Sequence, residues 1–124
     1  MDMDGLKKLN DSYGHQMGSY CISEVGAVIR DLMKGRGFGC RFGGDEFLVC
    51  LLNLQLAQAR EFAEQIRTQV EQHEFCKDGV RVQPTLSIGV AEIADTVKSP
   101  EGLLRLADDA LYRAKRSGRN AVCS

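Results

Sequence analysis

Two glycines followed by two acids, placed between two apolar segments, constrain the fold of this chain more than any other feature. Residues 43–46 read Gly-Gly-Asp-Glu, with apolar segments at 38–42 and 47–52 on either side. Glycines between two strand-like segments are typical of a tight β-hairpin, because glycine permits positive φ and leaves the turn open to a close ligand. We therefore expect a hairpin with two buried strands and with Asp45 and Glu46 at its tip.

Acids at such a tip can hold a metal ion, although a Gly-Gly-Asp turn by itself is more often only a turn. Asp2 and Asp4 occupy alternate positions at the end of a strand-like segment, so they share one face of it. Mg²⁺ prefers a few carboxylate and carbonyl oxygens and completes its shell with water and substrate phosphates. Asp2 and Asp45 together match that preference. The alternative is that Asp2 and Asp4 are solvated charges near the start of the chain.

Length and composition indicate a single compact domain. The 124 residues are 44% hydrophobic and 27% charged, which is ordinary for a globular protein. A net charge of -1 offers no broad basic surface, so we expect no nucleic-acid partner. No apolar segment approaches the roughly 20 residues that span a bilayer, so we expect no membrane contact by this domain. The five cysteines lack metal-ligand spacing and favour a reducing, cytoplasmic location.

Hydrophobic periodicity predicts the element order β-α-α-β-β-α-β-α-β. Ser99 as a cap and Pro100 in the first turn predict the start of the last helix, which Gly118 ends. An alternating strand is expected over 80–90, which Pro84 must interrupt or place partly at a sheet edge, and a final strand is expected over 120–123. The order predicts the α+β class, with helices packed on a largely antiparallel sheet.

Five motifs occur in order along the chain. They are Asp2 to Asp11 (DMDGLKKLND), Tyr13-Gly14-His15 with Gly18, Arg41 to Phe47 (RFGGDEF), Leu86 to Val90 (LSIGV), and Ala110 to Asn120, which contains ALYRAK and SGRN. Together they resemble the GGDEF domain of bacterial nucleotidyl cyclases, the family that makes cyclic di-GMP. The resemblance covers residues 1–124 as one domain and implies a palm-like sandwich similar to polymerases and class III nucleotide cyclases. It also implies that the family's N-terminal helix and most of its first strand are absent here.

The resemblance implies an enzyme that condenses two nucleoside triphosphates into a cyclic dinucleotide and releases pyrophosphate. Asp2, Asp45 and the Met3 carbonyl would bind two Mg²⁺ ions, with Mn²⁺ as the alternative metal. Asp45 and Glu46 would be the catalytic acids, and Glu46 would assist a metal or accept the proton of the attacking hydroxyl. Asp4 would either support these acids or cap the following helix.

Substrate contacts are implied at six positions. Gly5 and Leu6 would offer backbone N–H groups to the phosphates at a helix start. Asn10 and Ser19 would contact the base. Lys115 and Arg119 would grip the terminal phosphates, although basic residues at a helix C-terminus also have a purely structural explanation. Because each domain would bind one triphosphate, the resemblance implies a homodimer with opposed active sites, controlled by an upstream sensory domain in the parent protein.

Ser19 departs from the family, which usually has an aspartate at this position to read the base. A carboxylate accepts both donors of the guanine edge and repels N1 of adenine, whereas a serine hydroxyl donates or accepts. We therefore expect both GTP and ATP as substrates, and cyclic GMP-AMP beside cyclic di-GMP, as in a similar GGDEF subclass. The alternatives are a strict diguanylate cyclase, with Ser19 as a plain exposed residue, and a catalytically silent nucleotide-binding or interaction module.

Overall fold

A computed structural model describes residues 1–94, 97 and 99–124. Within them four helices surround short strands in the order β-α-α-β-β-α-β-β-β-α-β, which confirms the α+β class. The elements are β1 (Asp2–Asp4), α1 (Leu6–Tyr13), α2 (His15–Met33), β2 (Gly37–Arg41), β3 (Phe47–Leu51), α3 (Leu56–Gln72), β4 (Phe75–Lys77), β5 (Val80–Val82), β6 (Thr85–Gly89), α4 (Pro100–Arg116) and β7 (Val122–Cys123). None of these helices is long and apolar enough to cross a membrane.

Strand β1 joins the two halves of the β-structure. On one side it pairs antiparallel with β6, which in turn pairs parallel with β7. On its other side Asp2 forms an antiparallel bridge with Glu46, and the Met3 N–H donates to the Asp45 carbonyl at 3.1 Å. The β2–β3 hairpin therefore extends the β1–β6–β7 sheet, and its acidic tip lies beside β1.

The two faces of β6 carry different side chains and pack on different helices. Leu86 and Ile88 point into the main core, whereas Ser87 and Gly89 face α4. Helix α4 places Ala110 and Ala114, both fully buried, against the sheet. The main core lies on the opposite face and is built from α2, α3 and the strands; its buried members include Met3, Met17, Cys21, Val25, Ile29, Met33, Phe47, Phe62, Ile66, Val70 and Phe75. The sheet thus lies between two helical layers.

The start of α4 confirms the predicted signal, because the Ser99 hydroxyl accepts the Gly102 N–H at 3.1 Å and Pro100 occupies the first turn. The strand expected over 80–90 is interrupted at the buried Pro84, as predicted, and forms the separate strands β5 and β6. Proline has no N–H to donate to a ladder, so pairing stops there. Strand β4, only three residues long, was not predicted, because so short a segment shows no periodicity.

The hairpin forms as predicted, but two expectations about it are wrong. Strand β2 is not buried: Phe38 and Phe42 are 64% and 58% exposed, because β2 is the outermost strand of the hairpin. Neither Gly43 nor Gly44 has positive φ. The turn is instead closed by the Arg41 guanidinium, which donates to the carbonyls of Gly43 at 3.2 Å and Gly44 at 2.7 Å.

Candidate active site

Asp2 and Glu46 lie opposite each other where β1 passes the hairpin tip, and Asp45 is the residue before Glu46. Asp2 and Glu46 are direct partners across the antiparallel bridge, and opposed side chains of this kind have Cβ atoms about 5 Å apart. Asp45, the neighbour of Glu46, is held through its carbonyl to the Met3 N–H. Asp2 is only 7% exposed, whereas Glu46 is open to solvent. The structure therefore places the backbones of Asp2 and Met3 beside those of Asp45 and Glu46, and their binding of a metal stays a prediction.

Lys115 reaches this site from α4. Its Nζ lies 2.9 Å from Oδ1 of Asp2, and the Asp2 side chain is 10% exposed. A carboxylate this well buried needs a charged or hydrogen-bonding partner, and Lys115 supplies it. The sequence placed Lys115 at the terminal phosphates, so its contact with Asp2 is an additional finding. It shows that the Asp2 carboxylate is oriented to receive a positive charge.

The oxygen ligands at this junction fit a divalent cation. Among the described residues no three His, Cys, Asp or Glu side chains converge on one point, so a fully protein-made cage is absent from that part of the chain. The available ligands are the carboxylates of Asp2 and Asp45 and the carbonyl of Met3, which faces the hairpin because its N–H does. Hard oxygen ligands that leave room for water and phosphate suit Mg²⁺.

The start of α1 lies directly after β1. Gly5 precedes the helix with a φ of 71°, and no described side chain caps the N–H groups of the first turn. Unsatisfied N–H groups at a helix start attract anions. The structure therefore places Gly5 and Leu6 as the sequence expected, next to the strand that carries Asp2. Their contact with phosphate stays a prediction.

Asp4 has neither of the roles expected for it. Its Oδ1 accepts the Ser87 hydroxyl at 2.7 Å, and its Oδ2 accepts the Thr85 hydroxyl at 2.8 Å and the Asn120 N–H at 3.0 Å. It does not cap α1, because Gly5 stands at that position without a side-chain cap. Both oxygens of the Asp4 carboxylate accept structural hydrogen bonds, and these bonds connect β1 to β6 and to the turn after α4.

Asn10, on α1, carries an unsatisfied polar atom. Its Oδ1 is buried and has no hydrogen-bond partner in the described part of the chain. The Asn10 amide packs against Gly18 of α2, where any Cβ would collide with it. Ser19 is the next residue and is exposed. Asn10 and Ser19 therefore border the same α1–α2 surface, as expected for residues that contact one base, although that contact stays a prediction.

Arg119 lies in the turn that follows α4. It is exposed and has a φ of 66°, and its N–H donates to the Ala114 carbonyl at 3.2 Å. Arg119 and Lys115 thus flank the end of α4. Sequence reasoning did not identify the side chains that hold this turn, which are Arg67 and Glu71 of α3 together with Asn120. The sequence feature that could have indicated this turn is Gly-Arg-Asn after a helix, which is typical of left-handed turns at helix C-termini.

The family model described as "Diguanylate cyclase, GGDEF domain" matches residues 1–121. The chain belongs to the GGDEF domain family. It is 37% identical over 122 residues to Diguanylate cyclase A of Treponema denticola and 39% identical over 124 residues to Response regulator PleD of Caulobacter vibrioides. Each alignment covers 98% of this chain, but only 33% and 27% of those relatives. This GGDEF domain thus spans a third or less of these curated relatives.

Solved structures support the same assignment. The GGDEF domain of DgcB from Caulobacter crescentus, solved in complex with c-di-GMP, superimposes with a TM-score of 0.93 at 32% identity, covering 98% of this chain and 72% of that one. The active GGEEF domain of a diguanylate cyclase from Vibrio cholerae gives a TM-score of 0.88 at 31% identity, covering 98% and 77%. These matches confirm the palm-like α+β fold.

Proposed function

We propose that this GGDEF domain joins two nucleoside triphosphates into a cyclic dinucleotide. The observation that carries the proposal is the pairing of Asp2 with Glu46, and of the Met3 N–H with the Asp45 carbonyl, at the junction of β1 and the hairpin. Relatives named diguanylate cyclases support the same chemistry. A silent nucleotide-binding module is less well supported, because the hairpin acids are both present.

The reaction is attack of a 3′-hydroxyl on an α-phosphorus with release of pyrophosphate, which depends on positioning and charge neutralisation. Divalent ions, when bound, stabilise the attacking and leaving oxygens. Asp2, Asp45 and the Met3 carbonyl would hold Mg²⁺ or Mn²⁺. Glu46, exposed at the tip, would assist a metal or accept the proton of the incoming hydroxyl.

The phosphates of the substrate would lie between the start of α1 and the end of α4. The first-turn N–H groups of Gly5 and Leu6 would contact phosphate oxygens. Lys115 has a flexible side chain, so it can leave Asp2 and contact the terminal phosphates with Arg119. The side chain that neutralises the buried acid in the free protein thereby becomes a substrate ligand.

Catalysis by this arrangement requires a homodimer. The site provides one set of acids and one phosphate-binding surface, so a second domain must present the hydroxyl. The hairpin tip is open enough for this approach: a Cβ built on Gly44 has no atom within 4 Å. We propose that two domains face each other through these tips, and that an attached sensory domain controls their encounter.

The direct test is product identification. The protein with Mg²⁺ is incubated with GTP, with ATP and with an equimolar mixture, and the products are identified by mass spectrometry. Cyclic di-GMP from GTP would establish the cyclase. Cyclic GMP-AMP from the mixture would add ATP as a substrate. Binding of GTP without any product would favour the silent module.

We further propose that Ser19 relaxes base selection. The Ser19→Asp substitution restores an acceptor for both guanine donors, and a good bidentate base contact discriminates by about 1–3 kcal/mol, which corresponds to roughly 5- to 150-fold. We expect the ratio of kcat/KM for GTP over ATP to rise within that range, as measured in competition assays. Ser23→Asp, also exposed and one turn further along α2, is the control. Unchanged ATP incorporation in Ser19→Asp would contradict the proposal.

The Asn10 amide gives a second, independent test of the base site. Gly18→Ala places a methyl group against Asn10 and displaces its amide. We expect KM for GTP to rise about 2- to 12-fold, which is the effect of losing one hydrogen bond to the base. The melting temperature should not fall, because alanine is more favourable than glycine in a helix interior. Gly26→Ala on the same helix is the control, since its Cβ meets only Phe47 at 3.6 Å. An unchanged KM would remove Asn10 from the base site.

A further inference from the structure

The turn after α4 has an unusual backbone. Gly118, Arg119 and Asn120 have φ values of 119°, 66° and 46°. Glycine adopts such values freely and asparagine tolerates them, whereas arginine seldom does. A backbone of this kind persists only where surrounding contacts hold it. Since Lys115 and Arg119 flank this turn, its shape sets the distance between the two expected phosphate ligands.

Asn120 supplies the contacts that hold the turn. Its backbone N–H donates to Oδ2 of Asp4 at 3.0 Å. Its side-chain Oδ1 accepts from Nη1 of Arg67 at 2.9 Å, and its Nδ2 donates to Oε1 of Glu71 at 2.6 Å. Both ends of its amide are therefore bound to α3, while its backbone is bound to β1.

The α3 partners of Asn120 also pair with each other. Arg67 pairs with Glu71 at 2.9 Å and with Glu64 at 2.7 Å, and its side chain is only 17% exposed. The hydrogen bond from Asn120, followed by that from Arg67, lowers the pKa of the Glu71 carboxyl. The hydrogen bond to Glu64 raises the pKa of Arg67. Arg67 and Glu71 therefore present a charged donor and a charged acceptor to the turn.

The contact with Asp4 extends this attachment to the metal-binding strand. Asp4 stands two residues after Asp2 on β1, and its carboxylate also binds Thr85 and Ser87. The turn that carries Arg119 is thus tied to the strand that carries Asp2. Lys115 bridges the same two elements from the helix side, through its 2.9 Å contact with Asp2.

We propose that Asn120, clamped by Arg67 and Glu71, is a positioning residue that sets the Lys115–Arg119 turn relative to Asp2 and so controls affinity for the triphosphate of the substrate. This inference rests on the proposed function. It gives a role to α3, a helix that carries none of the proposed active-site residues. Asn120 does not touch the substrate in this account. It acts through Arg119 and Lys115.

The test compares binding of a triphosphate with binding of a monophosphate. Affinities for the non-reactive analogue α,β-methylene-GTP and for GMP are measured with Mg²⁺ by calorimetry. Asn120→Gly keeps the left-handed backbone but removes both contacts with α3. We expect affinity for the analogue to fall about 10-fold, the effect of losing a hydrogen bond to a charged group, while affinity for GMP changes less than about 2-fold. Asn53→Gly is the matched control, because Asn53 also has a left-handed backbone, with a φ of 58°, in a different turn.

A double-mutant comparison separates positioning from folding. If Asn120 acts through Arg119, adding Asn120→Gly to Arg119→Ala should cost little further affinity for the analogue. Equal losses for the analogue and GMP, full additivity, or a lower melting temperature with unchanged affinities would each overturn the inference. Should Asn120→Gly fail to fold, Arg67→Lys replaces it, since lysine keeps the charge but loses the guanidinium geometry. If Asn120→Gly weakens triphosphate binding but the wild-type protein forms no cyclic dinucleotide, the positioning role of Asn120 stands and the proposed cyclase activity is rejected. If the wild-type protein forms the product but Asn120→Gly binds the triphosphate normally, the cyclase activity stands and the positioning role is rejected.

Discussion

Asp45→Ala is expected to lower kcat for cyclic dinucleotide formation about 1000-fold, the upper end of the loss seen when one preorganised electrostatic contact is removed. The carboxylate of Asp45 is one of the ligands proposed to hold a cation at the junction of β1 and the hairpin. The hydrogen bond that anchors this residue runs from the Met3 N–H to the Asp45 carbonyl, and alanine retains it. The hairpin should therefore keep its shape while the site loses charge. Pyrophosphate release measured at saturating GTP and several Mg²⁺ concentrations gives the rate.

Two further variants make this result specific. Asp45→Asn keeps the shape of the side chain without its charge, and we expect nearly the same loss of activity. Asp31→Ala removes an exposed acid whose ion pair with Lys34 contributes little, so it should leave both rate and Mg²⁺ dependence unchanged. Retained turnover in Asp45→Ala, with unaltered Mg²⁺ dependence, would place the metal elsewhere and leave Asp2 as the acid to test next.

Local signals predicted the elements that position the site. A glycine pair between apolar segments predicted the β2–β3 hairpin, and serine followed by proline predicted the start of α4. In each case the determinant lies within a few residues of the element it sets, so it can be read without knowledge of the fold. The class of the fold followed from the order of such elements.

The contacts inside the site could not be predicted in this way. Asp4 was expected to support the acids or to cap α1, but its partners Thr85 and Asn120 are 81 and 116 residues away in sequence. Lys115 likewise meets Asp2 only because α4 packs across the sheet. A carboxylate binds any nearby donor, so its sequence neighbours do not reveal which distant donor the fold delivers. The assignment of roles therefore depended on the resemblance to the GGDEF family.

The two glycines of the hairpin tip are a further case in which the sequence did not reveal why a residue is present. Positive φ was one of two reasons expected for Gly43 and Gly44, the other being an open approach for a ligand, and neither residue has positive φ. At Gly43 a Cβ would lie 2.5 Å from the Glu46 carboxylate, which is the end of an exposed, flexible side chain and can move aside. At Gly44 the surroundings are open, which leaves the tip accessible. Neither conformation nor a rigid neighbour therefore requires glycine at these two positions, and what the pair provides is an open turn.

Gly89→Ala is expected to lower the stability of the fold more than Gly18→Ala or Gly26→Ala does. A Cβ on Gly89 would collide with the Ala107 carbonyl and with the backbone nitrogen of Leu111, both on α4. A flexible side chain could rotate away, but a helix backbone can yield only if the whole of α4 moves off β6. Overpacking of this kind costs about 3 kcal/mol or more. For a domain of this size that corresponds to a fall in melting temperature of roughly 10 °C.

The melting temperature of Gly89→Ala is measured by calorimetry or circular dichroism. Gly26→Ala is the control, because it adds the same methyl group at a position where the methyl makes only an ordinary contact with Phe47. The consequence should extend to the site, because α4 carries Lys115 and leads into the turn of Arg119. If the protein survives by shifting α4, triphosphate affinity should fall even in the folded fraction at low temperature. A wild-type melting temperature in Gly89→Ala would mean that α4 and β6 lie farther apart than they do here, and that the Lys115–Asp2 contact cannot depend on their close approach.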